Sequence, residues 1–491
     1  MKSKDLLFFT IFIIAISLMF SFYEFLSTVP AHTDSFYVME YSLIILARGD
    51  IPMGIESYFN CPATFLFEVT ISMITGLNIV LSQKILNFII VIVAIIAIYI
   101  LIRKWCSHAQ TFIVLFSTIF YFTLYVNSFF STPPFYGLLL FILEVYVLWK
   151  FYSYNSTKAD VVTQLVLSLS IAITNATASL NFVMACLTAF LSFYRARQNI
   201  IRASIFFAPI IIVLSWYIYV ASIYLSIGKG IIEVLIKTFI TEETTSLIYK
   251  PYLFLSPLEA ILSFLHRLLI IMFTGISFAY LLKRVYVKKD PSSFNLFLLV
   301  LASVIANIFL FLHGIAIERI LYYSGVFLVI NLCELFSSFK LSYQSIKVKI
   351  LLLSVLYLLF TSFLVPNYHS NLDNVSHVYE VTLASYLGKK ASLNRLFYFD
   401  LHLAHIFRFT LATLYGSSYP TYFNNIMIIH DRFAYTCEYL TNILLSGNLV
   451  ISMTERSMNR WYYFCGRSIL SILNLDRFNI VYNSEYSRIL M

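Results

Sequence analysis

The sequence predicts a polytopic α-helical membrane protein of about eleven transmembrane helices, with a small C-terminal α/β or α+β domain outside the membrane. Three observations predict this class: a deficit of charge, a series of long apolar runs, and a change of character after residue 365. Of the 491 residues, 60% are hydrophobic and 12% are charged. A soluble domain carries roughly 25% charged residues. The mean hydropathy of +0.84 fits a chain whose main solvent is lipid.

The runs justify the helices in order. The first, 5–26, exceeds a signal-peptide core and precedes no small-residue cleavage site, so it is expected to remain as the first span. Ten further spans follow at 84–103, 109–126, 134–150, 161–174, 180–194, 203–226, 258–282, 293–312, 319–337 and 348–365. The pair 161–174 and 180–194 is short for a span of ~20 residues. Its turn, 175–179, is therefore expected below the membrane surface, which requires protein or a wet cavity to cover it. Pro62–Gly76 is apolar but shorter and contains Glu68, and reads as a helix in the outer interface.

Charge orients the bundle. With the N-terminus inside, inner loops hold sixteen Lys and Arg against six outside, Arg48, Lys84, Lys229, Lys237, Lys250 and Arg319. The positive-inside rule thus places the N-terminus in the cytoplasm, and an odd number of spans places 366–491 outside the plasma membrane. The expected domains are 1–365, with an outer loop 29–61, and 366–491. In the latter, helix-like stretches (375–387, 431–445) alternate with strand-like runs at 396–400, 426–430, 449–454 and 479–482.

Several chemistries are excluded. No Walker A loop, GxGxxG, HExxH or GxSxG is present. No basic cluster with interleaved aromatics marks a nucleic-acid partner, despite the net charge of +9. Six cysteines form no CxxC pair; Cys437 and Cys465 share the C-terminal domain, as a disulfide or as two thiols. No DxD triplet occurs, which disfavours a metal-bound sugar nucleotide.

The outer loop carries the main candidate. After the first span comes His32-Thr-Asp-Ser35, then an apolar helix ending at Arg48 with Gly49 at its C′ position. Apolar on most faces, that helix is expected in the membrane surface. Asp34 then stands at headgroup depth, where a carboxylate can act as a general base; the plainer alternative is a helix cap. His266 and Arg267 lie inside the span 258–282, where an ionisable group is costly. Arg267 could also be one half of a buried pair with Glu259 or Glu68. Arg319 opens a span from the outer side beside Glu318, and either pairs with it or meets a phosphate. Glu144 and Glu334 read as interface residues near inner span ends.

The order of these features resembles the GT-C superfamily of lipid-linked-sugar glycosyltransferases, which includes protein O-mannosyltransferases, aminoarabinose transferases and oligosaccharyltransferase catalytic subunits. The similar stretches are Asp34 after the first span, Gly49-Asp-Ile-Pro52, Tyr58-Phe-Asn-Cys-Pro62 and Ile74-Thr-Gly76. To these are added Ile171-Ala-Ile-Thr-Asn-Ala-Thr177 leading to Arg195-Ala-Arg197, and the closing Asn479–Leu490. The resemblance implies transfer of a sugar from a polyprenyl- or dolichyl-phosphate donor to a protein, lipid or glycan acceptor, with inversion. It implies Asp34 as the catalytic acidic residue, acting as base, and His32, His266, Arg267, Glu318 and Arg319 as substrate-binding. Many members carry two adjacent acidic residues at the first-loop position. This chain has one, so a divalent metal, for which Asp34 and His32 are the candidate ligands, stays open, with Glu40, Asp50 and Glu56 as substitutes. Two rivals remain. A transporter or flippase would need polar groups along several spans. A non-catalytic scaffold predicts that Asp34, Arg267 and Arg319 do not converge.

Overall fold

The computed structural model describes residues 33–51, 60–103, 133–152, 157–195, 205–221, 257–289, 291–311, 318–338, 384–385, 387, 396–399, 401–415, 427–430, 449–454, 480–483 and 487–490. The expected spans 5–26, 109–126 and 348–365, the stretch 431–445, nearly all of 375–387, and Cys437 and Cys465 lie outside them. The described helices are α1 (Thr33–Arg48), α2 (Ala63–Thr75), α3 (Ile79–Arg103), α4 (Pro133–Tyr152), α5 (Lys158–Ala172), α6 (Ala176–Arg195), α7 (Phe207–Tyr219), α8 (Pro257–Tyr286), α9 (Pro291–Phe311) and α10 (Glu318–Ser338). Then come β1 (Leu396–Phe399), α11 (Leu401–Tyr415), β2 (Met427–His430), β3 (Leu449–Thr454), β4 (Ile480–Asn483) and β5 (Ser487–Leu490). Two compact units divide the chain: Met1–Phe20, Pro52–Thr64 and Leu86–His369, and Ser21–Ile51, Phe65–Ile85 and Ser370–Met491.

The first unit is helical. Among the described residues, Ile79–Arg103 and Pro133–Phe151 are long and apolar enough to cross a membrane. Ile89, Val93, Ile96 and Ile100 on α3, and Val162, Val166 and Leu169 on α5, stand exposed at helical spacing. Water would penalise such continuous apolar stripes, whereas lipid accepts them.

Small and neutral polar groups join these helices. A Cβ at Gly137 of α4 would come within 2.7 Å of the Asn175 Cβ and 2.8 Å of the Ala178 Cβ, so only glycine permits this approach. Asn307 Nδ2 and Ser303 Oγ of α9 donate to Asn181 Oδ1 of α6 at 2.7 and 2.9 Å. Phe141 of α4 meets Tyr323 and Phe327 of α10 edge-on. Thr157 and Asp160 close a capping box at the start of α5.

The turn between α5 and α6 is covered by protein. Tyr217 Oη donates to Ala172 O at 3.2 Å and to Ser179 Oγ at 3.2 Å. Ala63 N donates to Ile173 O at 3.1 Å. The carbonyls that a helix end leaves unmatched are thereby satisfied.

The second unit contains one mixed sheet of order β2-β1-β3-β5-β4. β1 pairs in parallel with both β2 and β3, while β5 runs antiparallel to β3 and β4. The expected runs at 396–400, 426–430, 449–454 and 479–482 fall on β1 to β4. α11, which no sequence signal marked, is the crossover from β1 to its parallel neighbour β2.

Candidate active site

α1 carries Asp34 in its first turn. The helix starts at Thr33, so Thr33 and Asp34 both stand inside it rather than before it. It ends where expected: Gly49 adopts φ +76° and its N–H donates to Ile45 O at 2.8 Å. Only a residue without Cβ takes that conformation at little cost. Arg48 Nε donates to Asp50 Oδ1 at 2.8 Å, and this bond holds the exposed Asp50 carboxyl below its ordinary range.

The helix α1, expected in the membrane surface, is enclosed largely by protein. Phe36, Val38, Met39, Glu40, Tyr41 and Ser42 are all buried. The helix is apolar on most faces because protein encloses it on most faces. On one flank it packs against α11. Arg408 Nε donates to Glu40 Oε1 at 2.9 Å, with Glu40 fully buried. The same guanidinium lies over the Tyr37 ring at 5.7 Å, and Phe36 meets Phe409 edge-on at 5.4 Å.

On another flank α1 meets α2. Tyr41 stacks on Phe65 with ring centroids 5.1 Å apart, and Ser42 Oγ donates to Glu68 Oε2 at 2.6 Å. Burial pushes the Glu68 carboxyl up to about 8, and the Ser42 bond pulls the other way. Glu68 therefore sits in an enclosed setting rather than in a wet interface.

The cationic candidates stand in the first unit, on α8 and α10. Ser277 Oγ donates to Leu328 O across 51 residues, and Asn331 Nδ2 donates to Ser277 Oγ at 3.1 Å across 54. Farther on, Arg284 pairs with Glu334. Numbers thus rise together along both helices, so α8 and α10 run parallel. Carried back about 15 Å at 1.5 Å per residue, this register sets His266 and Arg267 level with the first turn of α10, where Glu318 and Arg319 stand. The two pairs occupy the same end of one helix pair.

His32 and Glu56 lie outside the described residues. Glu40 and Asp50 each accept a hydrogen bond from an arginine, Arg408 and Arg48. Among the described residues no group of three His, Cys, Asp or Glu is placed to hold a metal ion. Asp34 and His32 alone fall short of the four ligands of a closed zinc site.

Glu144 is a second correction. It is fully buried in the helical unit rather than at an interface, and Ser168 Oγ of α5 approaches its Oε1 at 3.3 Å. Glu334, as expected near a span end, is half-buried against Arg284. The sequence offered no signal for Arg408, because its partner is 368 residues away. Glu68 did show one, as a lone acid in an apolar helix.

No protein-family model matches the chain, and no curated protein matches it. Solved structures do. The Archaeoglobus fulgidus oligosaccharyltransferase, tethered to an acceptor peptide containing the NVT sequon, is similar over 98% of this chain and 74% of its own, at 9% identity and a TM-score of 0.56. The same enzyme in complex with zinc and sulfate is similar over 97% and 72%, at 10% identity and a TM-score of 0.54. ArnT from Cupriavidus metallidurans, bound to undecaprenyl phosphate, is similar over 98% and 97%, at 11% identity and a TM-score of 0.53. Both enzymes are GT-C glycosyltransferases. The chain therefore has the GT-C fold, as the order of its sequence features implied.

Proposed function

We propose that this protein is a membrane glycosyltransferase. It moves a sugar from a polyprenyl- or dolichyl-phosphate donor to an acceptor on the outer face of the plasma membrane, with inversion at the anomeric carbon. The observation that carries the reading is the join of this fold to a buried, doubly anchored helix that bears Asp34 in its first turn. The neighbours add chemical context: one was solved with undecaprenyl phosphate and another with an acceptor peptide. In this reading residues 1–365 form the membrane domain, with the N-terminus cytoplasmic. Residues 366–491 form an extracytoplasmic domain that helps to bind the acceptor.

The step needs few groups. Asp34 takes the proton of an acceptor hydroxyl, or polarises an amide, as that group attacks the anomeric carbon from the face opposite the phosphate. The bond from that carbon to the phosphate oxygen breaks, and its electron pair leaves with the lipid phosphate. No general acid is required, because a phosphate is already a competent leaving group. Arg267 and Arg319 neutralise the departing phosphate, and His266 adds a hydrogen bond. Glu318 orients Arg319. A divalent cation held by Asp34 and His32 would supply further charge neutralisation at the phosphate.

Incubating the purified protein with a panel of short-chain polyprenyl-phosphate sugars, and reading the anomeric configuration of the product, tests the reaction. Inverted product is expected. Arg319→Ala should raise the donor KM at least ~10-fold if that side chain pairs the phosphate. Retained configuration would sink the single-displacement step, and an unchanged KM would remove Arg319 from the phosphate site.

A further inference from the structure

A buried ion pair is a poor way to glue two helices. An apolar pair of similar volume usually stabilises as well or better, because two charges must first leave water. Such a pair is better at fixing one arrangement among several, since any other rotation leaves a charge without its partner in an apolar setting. Glu40 and Arg408 form such a pair. Glu40 is fully buried, and the Arg408 side chain is about 16% exposed.

The pair sits between two elements of different reach. Arg408 belongs to α11, the crossover joining the parallel neighbours β1 and β2. α11 follows β1 after the single residue Asp400. Glu40 belongs to α1, six residues beyond Asp34. That is about 9 Å along a hydrogen-bonded rod, so a rotation imposed at Glu40 is passed on to Asp34. Neighbouring contacts act in the same sense. The Tyr37 ring lies under the Arg408 guanidinium, and Tyr41 Oη donates to Tyr37 Oη at 2.7 Å.

We infer that Arg408 is a positioning residue: through its ion pair with Glu40, the C-terminal sheet sets the rotation of α1 and hence the place of Asp34. The inference rests on the reading of Asp34 as the base. It adds that the sheet domain, besides meeting the acceptor, holds the base in register. Arg408 itself touches no substrate.

The test uses the full-length protein and a polyprenyl-phosphate sugar as donor. Arg408→Met should lower kcat about 100-fold, the usual cost of a misplaced reacting group, with donor KM within about twofold of the parent. Arg408→Lys keeps the charge without the planar fork and should recover part of the loss. Glu40→Gln/Arg408→Met should transfer no more slowly than Arg408→Met alone, because the two residues act as one unit. Amide exchange is read in parallel. It should quicken over 33–48 in Arg408→Met and stay unchanged over α6.

Parent-like kcat in Arg408→Met would overturn the inference. So would loss of kcat together with donor binding and faster exchange over α6, the signature of a purely structural role. Should Arg408→Met not fold, Arg408→Lys carries the same comparison. If the parent transfers no sugar from any donor, the glycosyltransferase reading fails, and exchange decides the remainder. Faster exchange confined to α1 upholds the coupling to the sheet, and unchanged exchange over 33–48 discards it.

Discussion

Two buried glutamates, in two parts of the molecule, are held in opposite ways. In the helical unit, Glu144 of α4 faces the Ser168 hydroxyl of α5 at 3.3 Å, and that hydroxyl also donates to Gln164 O at 2.6 Å. Among the described residues no cation meets it. In the unit that carries α1, Glu40 is met by the Arg408 guanidinium at 2.9 Å. The first arrangement resembles two other joints of the helical unit, where Asn181, Ser303 and Asn307 or Ser277 and Asn331 share hydrogen bonds without charge. The second spends charge where a helix must hold one rotation. Among the described residues, the ion pairs of the helical unit, Arg284–Glu334 and Lys150–Asp160, are partly exposed at both partners, whereas Glu40, on the helix bearing the candidate base, is a fully buried carboxylate met by a guanidinium.

The comparison can be broken by substitution. Glu40→Ala leaves the Arg408 charge in a largely buried site, which should destabilise by about 3–5 kcal/mol, read as a fall in melting temperature in detergent. Gly137→Ala tests the neutral side. Its methyl would press on Asn175 and Ala178 at under 3 Å, and overpacking of this kind should cost about 1–3 kcal/mol.

Glu68 offers a test by pH. Its carboxyl is raised from an ordinary 4.5 to about 8. Between those values the unfolded chain ionises while the folded chain keeps its proton, so the folded state binds more protons and stability falls as pH rises. The contribution is fully present below 4.5 and is lost by about 8. Melting of Glu68→Gln should therefore diverge upward from the parent by about 1.4 kcal/mol per pH unit across that window. A parallel pair of curves would show that the carboxyl titrates normally.

The smallest effect belongs to Glu144→Gln. Glutamine keeps the shape and an acceptor for Ser168, so below pH ~4, where a carboxyl holds its proton folded or unfolded, melting should shift by less than about 1 kcal/mol. A loss as large as that of Glu40→Ala would erase the distinction between the two sites.

Much of the fold was legible in the sequence, because local signals decide it. α1 was bounded by Thr33 and Gly49, the membrane helices by apolar runs, and four strands by short β-rich runs. α11 was not legible. From Leu401 to Leu411 apolar and polar residues mix without a clear period, whereas the buried set Ile406, Phe407, Thr410 and Leu411 follows a helix. Tertiary packing decided that segment. The burial of α1 was not legible for a related reason: an all-apolar helix looks the same from its sequence whether lipid or protein surrounds it. Of the candidate site, Asp34 could be found by position after the first span. Its support could not, since Arg408 and Glu40 are joined only by the fold. The shared height of His266, Arg267, Glu318 and Arg319 likewise came from the Ser277 and Asn331 register.

The most direct measurement is transfer of radiolabelled sugar from polyprenyl-phosphate donors by the parent and by Asp34→Asn, side by side. The account predicts transfer by the parent and, with the base removed, a loss of at least ~1,000-fold in the variant at unchanged expression and melting. Equal transfer by both proteins would contradict it, keeping the reaction and removing Asp34 from its centre.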